Sequence, residues 1–118
     1  MDEAQLIALA EKAISLHKTR GCLEYVGTTL EKRLRKELAH VGTLAAITSL
    51  LVNHVSSSGL VELRPETREE YQDRRECWFR VLVPCSVSPT LLTPLFFELE
   101  LSDDDPDYPS VLIMNVHF

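Results

Sequence analysis

Leu95-Phe96-Phe97-Glu98-Leu99-Glu100-Leu101, then Pro106-Asp107-Tyr108-Pro109, then Val111-Leu112-Ile113-Met114-Asn115-Val116-His117-Phe118: the reading of these three runs decides the fold. In the first, Leu95, Phe97, Leu99 and Leu101 alternate with Phe96, Glu98 and Glu100. A period of two puts one set on each face of an extended strand, so the run predicts a half-buried β-strand. In the second, two prolines hold φ near −65° and push their preceding residues toward extended backbone, which makes a stiff corner. The third is apolar on nearly both faces and is predicted to lie centrally in its sheet or under a cover.

Upstream, Cys77, Phe79, Val81, Val83 and Cys85 share one parity, and Trp78, Arg80, Leu82 and Pro84 the other. A second strand with both cysteines toward the core is expected, and Pro84, lacking an N–H, marks an edge, a bulge or the end of pairing. Leu60 to Arg64 predicts a short first strand. Between them, Arg64 to Glu76 carries four basic and five acidic residues and is expected to be a solvated loop or hairpin tip.

Before Gly59 the period changes to that of a helix. Asp2 with Gln5 forms a capping-box pattern, and Leu6, Leu9, Ala10, Ala13, Ile14 and His17 follow at helical spacing toward Gly21. Thr28 with Glu31 repeats the pattern ahead of a long amphipathic stretch reaching Ser56. Gly42 interrupts that stretch and Thr43 can cap a new helix, so one bent helix and two short ones both fit. The expected architecture is α+β: N-terminal helices packed on a four-stranded antiparallel β-meander. It forms one domain over 1–118, with 1–58 helical and 59–118 sheet.

At 118 residues, with 45% hydrophobic and 25% charged side chains, the chain is long enough for a single core and too apolar for disorder. A net charge of −6 disfavours a phosphate backbone, which is bound by accumulating Lys and Arg. No apolar run approaches the ~20 residues of a membrane span, and Met1-Asp2-Glu3 is acidic where a signal peptide is basic. An intracellular location, cytoplasmic or nuclear, and no membrane partner are expected. Cys22, Cys77 and Cys85 lack paired C-x-x-C spacing, which argues for reduced thiols rather than a disulfide framework or zinc site.

No local pattern sets a nucleophile beside a base or two carboxylates in a pocket, so no catalytic residue, metal ligand or cofactor site is assigned. His17, His40, His54 and His117 are scattered. Asp103, Asp104, Asp105 and Asp107 form the strongest charge feature, without the spaced ligands and glycine of an EF-hand loop. They read as a solvated turn or as a surface for a basic partner. Lys32, Arg33, Arg35 and Lys36 are interleaved with Glu31 and Glu37, and read first as a solvated face with i,i+4 pairs. Cys22 becomes reactive only if Lys18 and Arg20 lower its pKa. Trp78 and Phe96 face away from the core side by parity, so they either lie beneath the first helix or anchor an interface. With the four aspartates and Tyr108 they are the candidate partner-binding residues.

The order from the second helix through four strands, with the Tyr108-Pro109 turn between the third and fourth, resembles the RWD and ubiquitin-conjugating-enzyme-like superfamily over about Thr28 to Phe118. Active conjugating enzymes carry a His-Pro-Asn segment and a catalytic cysteine beyond the fourth strand, and no residue here matches them. The resemblance therefore implies a non-catalytic adaptor, a subunit of a larger complex. Its partner would be another protein, or a second copy through the Thr28–Ser58 helix and an exposed sheet face. Two other readings stand beside it. In a winged helix, Thr43 to Ser58 would be the recognition helix and Arg68, Arg74 and Arg75 the wing-tip phosphate contacts. A small acidic inhibitor or immunity-type protein would mask a basic cleft with Asp103 to Asp107.

Overall fold

The structure, a computed structural model, describes residues 1–88 and 91–118. Helix α1 (Glu3–Arg20) starts from the expected capping box, the Asp2 carboxylate accepting from the Gln5 N–H and the Gln5 side chain from the Asp2 N–H. It ends at Gly21, as the spacing predicts. The long stretch that follows is two helices, α2 (Thr28–Glu37) and α3 (Leu44–Ser56). Gly42 has φ 152°, a region that favours glycine, and a Cβ there would come within 3.0 Å of the Ala46 Cβ. Thr43 then caps α3, its hydroxyl accepting from the Ala46 N–H at 3.1 Å. The Thr28–Glu31 box does not form. Thr28 is already helical, and Gly27 caps α2 with extended backbone and no side-chain bond.

Strands β2 (Glu62–Pro65), β3 (Cys77–Ser88), β4 (Leu91–Asp103) and β5 (Ser110–His117) form the antiparallel meander. A three-residue strand, β1 (Leu23–Tyr25), lies in the connection between the first two expected helices, within the part read as helical and without a strand, and pairs parallel with β5, Leu23 opposite Val111 and Tyr25 opposite Ile113. The sheet is therefore five-stranded and mixed, in the order β1-β5-β4-β3-β2, rather than a four-stranded antiparallel one. This places β5 inside the sheet, as its two apolar faces require. A register shift between Glu98 and Leu99 leaves Met114 as an extra residue on β5.

All three long helices pack on one sheet face. Ala10, Ala13 and Ile14 of α1, Leu30 and Leu34 of α2, and Ile47, Leu51 and Val52 of α3 share a core with Phe79, Val81, Leu95, Phe97 and Leu99. Complete burial of such Leu, Ile and Phe side chains stabilises by roughly 1.5–3 kcal/mol each. The inward parity of β3 and β4 follows the alternation of the sequence residue by residue. Cys85 is buried and Cys77 half-buried at the strand's start.

Candidate protein-interaction surfaces

With the helices on one side, the other parity of β3 and β4 faces outward without a helix of α1, α2 or α3 over it. Trp78 and Phe96 are both there, so the expectation that the first helix covers them is not met: α1 is used up on the inner face. Register sets Phe96 opposite Leu82, but the Trp78 indole reaches along the strand until its ring lies 6.1 Å from that of Phe96. On the far side Phe96 stacks on His117 of β5 at 4.8 Å with 16° between the planes. The result is an aromatic row across three strands, with Leu82 beside it 38% exposed. His117 was not singled out in the sequence. Its position opposite Phe96 in the β4–β5 register is the signal that identifies it.

The other end of this face is covered by the strap from Glu66 to Glu76, which includes the one-turn helix α4 (Glu69–Gln72). The expected hairpin loop is thus solvated along most of its length, and what the sequence did not show is that it folds Glu66 and Arg75 down into the sheet face. The Glu66 N–H donates to the Glu76 carbonyl at 2.9 Å and closes the strap's neck. Inside it, the Glu66 carboxylate accepts from Arg68 Nε at 2.9 Å, the Arg68 N–H at 3.0 Å and Arg75 Nε at 2.8 Å. Arg68 and Arg75 each reach Glu98 at 3.2 Å, and Glu100 takes Arg74 at 3.1 Å and Arg75 at 3.4 Å. The Tyr71 ring lies 4.6 Å from the Arg68 guanidinium and 5.5 Å from that of Arg75. Only 5% of the Arg75 side chain and 1% of the Glu66 side chain remain exposed. The Arg68 guanidinium, helped by its N–H and by Arg75, holds the Glu66 carboxyl down at about 2 against the opposing effect of burial.

These pairings bear on the nucleic-acid reading. Arg68, Arg74 and Arg75, the supposed wing-tip contacts, are bound to carboxylates of their own chain. Helix α3 runs Leu-Ala-Ala-Ile-Thr-Ser-Leu-Leu-Val-Asn-His-Val-Ser without a lysine or arginine to meet phosphate. On α2, the interleaved charges form the expected i,i+4 pairs, Arg33 with Glu37 at 3.9 Å and Arg35 with Glu31 at 3.7 Å.

The acidic corner lies elsewhere, on the α1 side of the molecule. Asp103 and Asp105 accept the N–H groups of Asp105 and Asp107 at 3.0 and 2.9 Å, and the Tyr108 N–H returns to the Asp105 carbonyl at 3.2 Å. Pro109 is buried, which seats the corner. The Lys12 ammonium donates to the Pro106 carbonyl, and Arg20 Nη1 to that of Asp107 at 3.2 Å while lying 4.9 Å over the Tyr108 ring. The candidate partner-binding residues thus divide into two surfaces. Trp78 and Phe96 meet on the outer sheet face; Asp103, Asp104, Asp105, Asp107 and Tyr108 sit beside α1.

Among the described residues no group of three or more His, Cys, Asp or Glu side chains is placed to hold a metal ion, and no helix is long and apolar enough to cross a membrane. Cys22 is buried immediately before β1. Compared with protein-family models, with curated proteins and with solved structures, the chain matches none.

Proposed function

We propose that this chain is a non-enzymatic protein-interaction module, an adaptor subunit that docks another polypeptide on the outer face of its sheet. The observation that carries the reading is the aromatic row Trp78, Phe96 and His117, flanked by exposed Leu82, on a face that no long helix covers. Aromatic side chains bring large contact area at low entropic cost and dominate interface energetics. The meander and the position of Tyr108-Pro109 between β4 and β5 support the likeness to RWD-like adaptors. The division of the Thr28–Ser58 segment into α2 and α3 weighs against a rod-like dimerisation helix.

A second reading, an acidic inhibitor that masks a basic partner, is favoured by one observation. Asp103, Asp104, Asp105 and Asp107 are all exposed, and among the described residues none has a salt bridge. Affinity purification of the full chain from its native host separates the two. The adaptor reading expects one stoichiometric partner, retained by Asp103→Lys/Asp104→Lys and lost by Trp78→Ser/Phe96→Ser with the circular dichroism spectrum intact. The opposite pattern would transfer the function to the acidic corner.

A further inference from the structure

Between α1 and the β4–β5 corner run two clefts of about 300 Å³ each. The upper one has Met1, Gln5, Ala8, Leu9 and Pro106 in its walls; the lower one has Leu16 and Tyr108 together with Arg20 and Asp107. Lys12 lines both and separates them. Met1 is 64% and Tyr108 61% exposed, large apolar surface left in water beside the clefts. We propose that these clefts receive a cationic amphipathic helix of another protein, seated by two apolar side chains seven residues apart.

Spacing, charge and rigidity support this occupant. Leu9 and Leu16 mark the two clefts and lie about 10 Å apart along α1, at 1.5 Å rise per residue. An antiparallel or parallel partner helix repeats that interval at positions i and i+7, the spacing used in helix-in-groove recognition. The clefts' own cations, Lys12 and Arg20, are turned onto the carbonyl oxygens of Pro106 and Asp107, so they leave the neighbouring carboxylates unpaired. Asp103, Asp104, Asp105 and Asp107 therefore present an anionic rim. Lysines or arginines flanking the two apolar anchors complement that rim, and glutamates there would be repelled. The corner is held by its aspartate-to-backbone bonds, the Tyr108 turn and buried Pro109, so little ordering entropy opposes docking. This surface is on the opposite side from the aromatic row and does not depend on it.

The test uses the full chain and two synthetic 14-residue amphipathic peptides, one built of Leu and Lys and one with Glu in place of every Lys. In an amide-resolved NMR titration the Leu/Lys peptide is expected to shift residues of α1 and of the 103–109 corner, and to leave the indole signal of Trp78 in place. The Glu peptide is expected to leave the spectrum unchanged. Asp104→Lys should weaken binding by about tenfold at low salt, since it reverses one rim charge without removing a backbone bond. Ala8→Glu places a carboxylate in the upper cleft, and should also weaken binding although the protein becomes more acidic. Shifts spread over the outer sheet face, equal binding of the Glu peptide, or unchanged affinity in Ala8→Glu would each overturn the proposal. Both substituted residues are exposed, and should either variant fail to fold, the other together with the peptide pair still decides.

Discussion

Replacing Arg75 by Met tests whether the strap is held by buried charge. Arg75 touches Glu66, Glu98 and Glu100 at 2.8, 3.2 and 3.4 Å. Removing one partner of a buried ion pair costs about 3–5 kcal/mol, because the remaining charge is left desolvated. Here each orphaned carboxylate keeps another arginine, Glu66 and Glu98 retaining Arg68 and Glu100 retaining Arg74. The cost should fall at the low end, about 3 kcal/mol, or roughly 10 °C in Tm for a domain of this size. Urea unfolding followed by the fluorescence of Trp78, the sole tryptophan, reads it directly. Acid titration supplies a second measurement. The Glu66 carboxyl is held at about 2 against an ordinary 4.5, so its folded form stays ionised where the unfolded chain takes up protons. Its stabilisation is complete above the ordinary value and is lost as pH falls from there through about 2. Glu66→Gln should therefore flatten that acid limb, whereas Arg75→Met should lower stability at neutral pH and keep most of the limb, since Arg68 is the main cause of the shift. A loss below about 1 kcal/mol for Arg75→Met, the size of an exposed pair, would refute the buried-latch account.

Three further outcomes follow from local geometry. Gly59→Ala would bring a Cβ within 2.4 Å of the His54 ring and 2.5 Å of the His54 carbonyl, so a loss of about 1–3 kcal/mol is expected in the same urea assay. Ser58 sits at φ 68° at the end of α3, and Ser58→Gly should raise stability by about 1 kcal/mol by relieving the left-handed conformation. The Tyr25 hydroxyl bonds to the Leu44 carbonyl at 3.1 Å and to Thr48 Oγ1 at 3.0 Å, and burial is the main cause that raises its pKa. In an ultraviolet titration one tyrosine should ionise above the ordinary value of 10.0, and Tyr25→Phe should abolish that late step.

The strands of the meander were legible because each buries one face. Phe79, Val81 and Val83, like Leu95, Phe97 and Leu99, alternate with outward residues, and the inward set is buried throughout. The break at Gly42 and Thr43 was legible as chemistry, a residue that tolerates unusual φ followed by a cap. Strand β1 was not. Three residues are too few to display a period, and its partner Val111 to Ile113 lies almost the whole chain away. The strap is solvated over most of its length as expected, but the burial of Glu66 and Arg75 within it was hidden for a different reason. Nine charges between Arg64 and Glu76 look solvated when counted alone, but Arg68, Arg74 and Arg75 answer Glu98 and Glu100, whose outward position the alternation of β4 already implied. Composition measures how much charge a segment carries; only the fold decides whether that charge meets water or its counter-ion. The same holds for the candidate site. Parity set Trp78 and Phe96 outward, but joining them to His117, and separating them from the acidic corner, required the register.

Edges and faces of the sheet are treated differently, and this bears on how a partner approaches. Pro84 of β3 stands opposite Pro94 of β4, and neither has an N–H to give. Such a pair fits an antiparallel ladder only where the backbone groups of both residues point away from each other. The Pro84 position therefore faces the β2 side but lies beyond that strand, which begins at Glu62 opposite Arg80. Among the described residues no strand continues along that edge, and an added strand would find a missing donor at its centre. At the other edge, the Leu23 N–H of β1 is occupied by Nδ1 of His17 at 3.1 Å. The stretch of β3 beyond β2 thus lacks a donor at Pro84 and β1 has its Leu23 N–H occupied, while the outer face keeps its aromatic row and the α1 side keeps its clefts. Recognition by this domain is expected to run through side chains on surfaces rather than through backbone pairing at an edge, so substitutions at Trp78, Phe96 or Ala8 should matter more than any change along β2.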